Sequence, residues 1–201
     1  MAEIIYYIKS GNPVLLEGDT GTAKTRTSVI ACEYLMEYSN NIYDDENKHE
    51  DDYEQSNYNE KDKSNYIKFN LSADTKIDNL MNKYIGDSKS FTGIKIESGA
   101  FYKAFKYGKI LILDEINLAS KEVLECIGQA LDSKVLSTEL TGKELKSCEM
   151  HKNFALIATQ RPLKGSFVNK RQNSGYAFFS RFQKVKCVKF NEYELFIIEL
   201  D

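Results

Sequence analysis

The stretch that decides the fold runs from residue 18 to residue 25 and reads Gly-Asp-Thr-Gly-Thr-Ala-Lys-Thr. A short apolar run, Val14 to Glu17, precedes it, and residues 24–38 follow with a helix-like pattern. A glycine, four residues, a small residue, lysine and a hydroxyl residue, placed between a strand and a helix, are typical of a phosphate-binding loop. The sequence therefore predicts a strand, a phosphate loop and a helix here.

The chemistry of such a loop explains its residue types. Small residues let backbone N–H groups approach phosphate oxygens at a helix N-terminus, where the helix dipole favours negative charge. We expect Lys24 to neutralise the β- and γ-phosphates of ATP and the Thr25 hydroxyl to ligate Mg²⁺. Ala23 replaces the second glycine of the pattern, so we expect binding that is retained but weaker. The predicted nucleotide-binding residues are Gly18, Asp19, Thr20, Gly21, Thr22, Ala23, Lys24, Thr25 and Arg26.

A second motif follows the apolar run of residues 110–113, Ile-Leu-Ile-Leu, which is typical of a central parallel strand. Asp114 and Glu115 come directly after it, so they should lie at the carboxyl edge of the sheet, where open α/β folds bind ligands. We expect Asp114 to reach Mg²⁺ and Glu115 to orient the attacking water. The motif predicts hydrolysis of the bound nucleotide.

Strand-like and helix-like patterns alternate along the rest of the chain, which favours a parallel sheet with helices on both faces. We count five strands, and Ile77, Leu80, Met81 and Tyr84 fall at helical spacing. Residues 86–99 and 135–148 read as two small hairpins, and residues 100–107 as a helix. The predicted fold class is α/β, a three-layer P-loop NTPase sandwich.

Composition limits the alternatives. The chain has 201 residues and a formal net charge of −3, so we expect one domain and no basic field for nucleic acid. Residues 43–63 hold nine acidic residues against three lysines and no aliphatic residue. We interpret them as a disordered surface insertion, with an acidic docking loop for a basic partner as the alternative.

Four dispersed cysteines and two isolated histidines suggest neither a disulfide framework nor a zinc site, and favour a reducing compartment. No apolar run is long enough for a signal peptide or a membrane span. The expected location is therefore intracellular, and no membrane partner is expected.

With both motifs identified, the chain resembles AAA+ ATPases, and within them the midasin and dynein-related group. The resemblance is carried by residues 113–119, Leu-Asp-Glu-Ile-Asn-Leu-Ala, and residues 154–162, Phe-Ala-Leu-Ile-Ala-Thr-Gln-Arg-Pro. It implies a five-stranded core, a helix-2 insert at residues 86–99 and a pre-sensor hairpin at residues 135–148. It also implies Mg-dependent ATP hydrolysis that drives movement between neighbouring AAA+ modules or subunits, in the cytoplasm or the nucleus, for remodelling large assemblies such as ribosome precursors.

Two further residues gain roles from the resemblance. The family's sensor residue before the proline is usually asparagine, whereas this chain has Arg161 there with Gln160 before it. Gln160 is a candidate contact to the γ-phosphate or the water, Arg161 is a candidate for holding ATP without promoting hydrolysis, and closing a turn is the third interpretation. Arg181, in Ser-Arg-Phe, resembles an arginine finger that reaches the nucleotide of a neighbouring module.

Only eleven residues follow Phe190, so we expect the family's C-terminal helical lid to be absent and hydrolysis by the isolated chain to be slow. Two alternatives stay open at this point. One is a nucleotide-gated binding scaffold with little hydrolysis, and the other is a GTPase of the same fold.

Overall fold

The computed structural model describes residues 1–42, 64–86, 94–138, 146–162 and 177–189. The helices are α1 (Ala2–Lys9), α2 (Lys24–Ile42), α3 (Ile77–Leu80), α4 (Ala100–Tyr107) and α5 (Lys121–Ser133). The strands are β1 (Val14–Glu17), β2 (Tyr66–Asn70), β3 (Asn82–Gly86), β4 (Ile94–Ser98), β5 (Ile110–Asp114), β6 (Val135–Thr138), β7 (Lys146–Glu149), β8 (Ala155–Gln160) and β9 (Gln183–Lys186). The predicted acidic insertion at residues 43–63 lies outside the described residues.

Five of these strands form one parallel sheet in the order β2-β5-β8-β1-β9. After β1 the chain continues to β2, at one side of the sheet, and returns toward β1 through β5 and β8. From β8 it crosses β1 to form β9 on the other side. Connections therefore diverge beside β1 and β8, and open α/β sheets bind ligands at such a switch point, outside the carboxyl ends of the strands. The topology marks the end of β1 as the expected ligand site.

The sheet is covered on both faces, which explains the unbroken apolar runs in its central strands. Successive side chains of a strand point to opposite faces, so each strand contributes to two separate clusters. Leu15, Leu111 and Leu156 join one cluster with α3, α4 and α5. Val14, Ile112 and Ile157 join the other with α1 and α2. The predicted three-layer P-loop fold, with helices on both faces, is confirmed.

The hairpins differ in how well the sequence located them. β6 and β7 pair antiparallel within the predicted span. The other hairpin pairs β3 with β4 and begins at Asn82, four residues before the predicted start. The helical pattern through Tyr84 is therefore wrong: α3 ends at Leu80, and Met81 leaves the helical region with φ −92° and ψ −114°. Strand pairing with β4 overrides the apolar spacing.

Among the described residues, no helix combines the length and the apolar character that a bilayer span requires.

Candidate functional site

The phosphate loop lies where the topology places a ligand, between the end of β1 and the start of α2. Its first glycine packs tightly: a Cβ at Gly18 would lie 2.7 Å from Thr22 Oγ1 and would collide with the carbonyl of Cys187. Gly21 has φ +82°, a left-handed conformation that glycine adopts without strain. These glycines are needed for the path of the loop.

Lys24, the first residue of α2, folds its side chain back over the loop. Its Nζ donates to the carbonyl oxygens of Gly18 at 2.8 Å and Asp19 at 2.9 Å, and the residue is buried. The Thr22 hydroxyl also donates to Asp19 O, at 2.9 Å. Beside the loop, burial raises the pKa of the Cys187 thiol, and the nearby Lys24 ammonium opposes that shift. Lys24 is thus the positive centre of the loop.

The two motifs meet at Asp114, at the carboxyl end of β5. The Thr25 hydroxyl donates to both oxygens of this carboxylate, at 3.0 Å each, although 89 residues separate the two in the chain. Lys68 on β2 places its Nζ 3.6 Å from Asp114 Oδ2. Hydroxyl and carboxylate oxygens are the donors that Mg²⁺ prefers, so Thr25 and Asp114 fit the metal that the motifs predict.

A small cavity connects these groups. Its volume is about 240 Å³, and it is lined by Thr20, Gly21, Ala23, Lys24, Thr25, Arg26, Asp114, Glu115 and Arg161. The lining combines three cationic side chains with two carboxylates. Lys24 offers positive charge for phosphates, and Thr25 and Asp114 offer oxygen ligands for a metal, whereas Arg161 is paired with Glu115. The residues present therefore fit a Mg-nucleotide.

Thr159 at the end of β8 ties the two carboxylate residues to the sheet. Its hydroxyl donates to Asp114 Oδ1 and accepts from the backbone N–H of Glu115 at 3.2 Å. The side chain is 1% exposed. Sequence reasoning missed Thr159 and Lys68. The only signal for Thr159 was its position, since it ends a buried strand beside the strand that carries Asp114.

The Glu115 carboxylate is held by an arginine. Arg161 donates through Nε at 3.0 Å and through Nη2 at 2.9 Å, both to Oε1 of Glu115. Glu115 itself has φ 57° and ψ 48°, a left-handed conformation that is uncommon outside glycine. Its backbone and its side chain are therefore both positioned by residues at the end of β8.

Gln160 does not join this group. Because it follows Thr159, it faces the other side of the sheet, where its Nε2 lies 3.4 Å from Glu17 Oε1. Its Oε1 is buried and has no hydrogen-bond partner among the described residues. The structure places the Gln160 side chain with Glu17, not in the phosphate cavity.

Arg181 also lies away from this cavity. β9 runs parallel to β1 with Gln183 opposite Val14, so Arg181 lies at the edge where β1 begins, whereas the phosphate loop follows the edge where β1 ends. Its guanidinium donates through Nε to Asp132 Oδ1 at 2.6 Å, through Nη2 to Oδ2, and through Nη1 to the Ala177 carbonyl. These hydrogen bonds lower the pKa of the Asp132 carboxyl.

Sequence comparison gives the family. The sequence model described as "AAA domain (dynein-related subfamily)" matches residues 56–182, more than half of the chain. The chain belongs to this family. The matched region includes Asp114, Glu115 and Arg181, whereas the phosphate loop precedes it, so the loop is supported by its own motif and geometry.

Individual AAA+ relatives agree with this assignment. The chain is 33% identical over 136 residues to midasin of Dictyostelium discoideum, covering 66% of the chain and 2% of that protein. It is 27% identical over 178 residues to midasin of Giardia intestinalis, covering 86% of the chain and 3% of that protein. The chain thus spans a small fraction of the length of these relatives.

A solved structure shares the fold. It comes from Cytophaga hutchinsonii, and its assignment as an ATPase is itself provisional; the TM-score is 0.58 at 15% identity, over 98% of this chain and 48% of that one. Membership of this family implies ATP binding and hydrolysis by the domain, typically with Mg²⁺.

Proposed function

We propose that this module binds Mg-ATP at the loop of residues 18–26 and hydrolyses it to ADP and phosphate. The observation that carries the proposal is the contact of the Thr25 hydroxyl with both oxygens of Asp114. Two motifs that are distant in the chain converge on one cavity that also holds Lys24 and Glu115. Phosphoryl transfer depends mainly on positioning and on charge stabilisation, and this constellation offers both.

Each residue has a role in the proposal. Lys24 exchanges the carbonyls of Gly18 and Asp19 for phosphate oxygens, and the backbone N–H groups of the loop bind the remaining ones. Thr25 and Asp114 would hold Mg²⁺, which would neutralise charge on the phosphates. Glu115 orients and polarises the attacking water.

Arg181 serves the nucleotide of a neighbouring module in this proposal. Its place at the sheet edge opposite its own phosphate loop supports that role, because the same guanidinium has no short path to its own cavity. The Gln160 side chain contacts Glu17 and does not line the cavity, so the structure adds no support to its predicted contact with the γ-phosphate or the water. Its predicted catalytic role stays a prediction.

The biological setting follows from the family. We infer that hydrolysis drives movement between neighbouring AAA+ modules, and that the assembly remodels a protein or ribonucleoprotein substrate inside the cell, in the cytoplasm or the nucleus. Similarity to the two midasins supports this inference. The partner that Arg181 requires would then be another module of the same kind.

A nucleotide-gated scaffold is the second candidate function. One observation favours it: Arg161 engages Glu115, the residue that hydrolysis needs. In such a scaffold ATP would hold a conformation and would turn over rarely. The intact pair of Asp114 and Glu115 favours hydrolysis.

Calorimetric titration with Mg-ATP and with Mg-GTP tests the site. We expect saturable ATP binding in the wild type and at least a tenfold loss in Lys24→Ala, because a charge-assisted contact to phosphate contributes about 1.5–3 kcal/mol. Lys121→Ala, which removes a cation from an exposed helix pair, is the matched control and should bind normally. Normal binding by Lys24→Ala would contradict the site, and preferential GTP binding would favour the GTPase alternative.

Turnover then separates the two functions. If Glu115→Gln abolishes hydrolysis that the wild type shows, the module is an ATPase. If the wild type and Glu115→Gln both bind ATP but show equal and negligible turnover, the scaffold function is favoured.

A further inference from the structure

The Arg161 guanidinium makes a fork contact to a single oxygen of Glu115. Both Nε and Nη2 donate to Oε1, at 3.0 and 2.9 Å. A carboxylate that polarises water must reach that water with a free lone pair. Two charge-assisted donors on Oε1 occupy lone pairs of that oxygen, so this arrangement restrains the carboxylate and competes with a water for Oε1.

The backbone of Glu115 is also held in place. Its N–H donates to Thr159 Oγ1, and its backbone adopts the left-handed conformation. Thr159 and Arg161 are two residues apart at the end of β8, so one short segment holds Glu115 at both its backbone and its side chain. The direction of the carboxylate is therefore set by β8 and by Arg161.

The contact is also one that can be released. Arg161 is 57% exposed and Glu115 is 28% exposed at their side chains, and exposed ion pairs contribute little net stability. Pro162 restricts the backbone of Arg161 to extended conformations, so release is a movement of the side chain. A restraint of this kind slows a reaction without preventing it.

We propose that Arg161 is a positioning residue that holds the Glu115 carboxylate in a restrained position and so keeps hydrolysis slow. The inference rests on the proposed function, because it assigns to Glu115 the role of orienting water. Arg161 acts through Glu115 and is not required for the nucleotide to bind.

A double-mutant cycle tests this coupling. Single-turnover hydrolysis of labelled ATP, with protein in excess, is measured for wild type, Arg161→Ala, Glu115→Gln and the double variant. We expect Arg161→Ala to hydrolyse at least about threefold faster than wild type, and the same substitution to change nothing in the Glu115→Gln background. Arg161→Lys, which retains one cation, should stay closer to wild type than Arg161→Ala.

Binding is the second readout. The dissociation constants of Mg-ADP and of a non-hydrolysable Mg-ATP analogue, measured by calorimetry, should change less than twofold in Arg161→Ala. Lys121→Ala is the matched control for loss of one positive charge outside the cavity and should leave both rate and binding unchanged.

Several results would overturn the proposal. A slower rate in Arg161→Ala would show that Arg161 assists Glu115 in hydrolysis. An unchanged rate would show that Arg161 has no effect on Glu115. An equal acceleration in the Glu115→Gln background would show that Arg161 acts elsewhere, and selective weakening of the ATP analogue would make it a γ-phosphate ligand. Failure of the wild type to bind ATP at all would instead refute the proposed function, and this inference with it.

Discussion

At the residue scale, two positions of the site adopt left-handed backbone although neither is glycine. Ala23 has φ 54° and Glu115 has φ 57°. An L-residue with a Cβ loses about 1–2 kcal/mol in this conformation. Such strain at a site is held in place by the surrounding structure, here by the loop around Lys24 and by the bonds of Glu115 to Thr159 and Arg161.

The strain at Ala23 gives a testable prediction. Ala23→Gly should raise the free energy of unfolding by about 0.5–1 kcal/mol, because glycine relieves the left-handed strain but adds freedom to the unfolded chain. Urea denaturation measures this difference. Gly21→Ala is the mirror-image control, since Gly21 has φ +82° and open space where a Cβ would lie. It should lower stability, because the left-handed strain of an alanine outweighs the freedom lost by the unfolded chain, and a stability gain from that substitution would refute the argument.

The site residues that the sequence did not reveal are those whose residue type is typical of any β-strand. Thr159 is a β-branched residue at the end of a buried strand, so its sequence context indicates a good strand former and nothing about Asp114. Its role depends on β5 and β8 being neighbours, and strand order could not be read from the chain. The loop residues and Asp114 could be predicted because their motifs carry the chemistry locally.

At the element scale, the pair of Asp132 on α5 and Arg181 before β9 joins a helix to the segment that enters an edge strand. Asp132→Asn should lower stability at pH 7 by at most about 1 kcal/mol, because the Asp132 side chain is 57% exposed. The pKa of Asp132 is lower in the folded protein than in the unfolded chain. The ionised Asp132 carboxylate therefore stabilises the folded state above the unfolded pKa near 3.9, and this stabilisation is lost as pH falls through the folded pKa. The difference between the variants should therefore shrink as pH falls below about 3.9.

Urea denaturation of both proteins at several pH values measures this. Glu125→Gln is a suitable control, because its partner Lys121 lies 3.4 Å away in a pair with both side chains more than half exposed. We expect that control to have a smaller effect at pH 7. A stability difference for Asp132→Asn that persists unchanged at low pH would contradict the ion pair.

Elements with unambiguous periodicity were predicted well. The count of five sheet strands is right, and the strands predicted at residues 14–17 and 110–113 and the helix predicted at residues 100–107 lie where the apolar pattern placed them. The segment of residues 77–84 was predicted wrongly, because its apolar residues fit a helix as well as they fit a strand edge. Pairing with β4 makes its second part a strand. α1 was missed as well: its Ile4 and Ile8 stand too close to the start of the sequence to show a clear period.

At the scale of the whole molecule, Arg181 and the phosphate loop lie at opposite edges of the sheet. A complementation experiment follows from the proposal that Arg181 acts in trans. Arg181→Ala should lose most ATP turnover in the assembled protein, by a factor on the order of 10³ if it acts as other arginine fingers do. Mixing it with Lys24→Ala should restore part of the activity, because one variant supplies an intact site and the other supplies the arginine.

Steady-state turnover at a concentration that supports assembly measures the effect. Each variant alone is the control for the mixture. Wild-type turnover by Arg181→Ala, or a mixture no more active than its parts, would show that the guanidinium does not serve a neighbouring site.

The alternation along β8 has a further consequence for how this chain can change over evolution. Thr159 faces Asp114 and Gln160 faces Glu17 because neighbouring side chains of a strand point to opposite faces. Inserting or deleting one residue within β8 would exchange the two faces, so that an amide would meet the Asp114 carboxylate and a hydroxyl would meet Glu17. Substitutions in this strand change one contact at a time, whereas a change in its length alters every contact downstream. Length is therefore under stronger constraint here than residue identity.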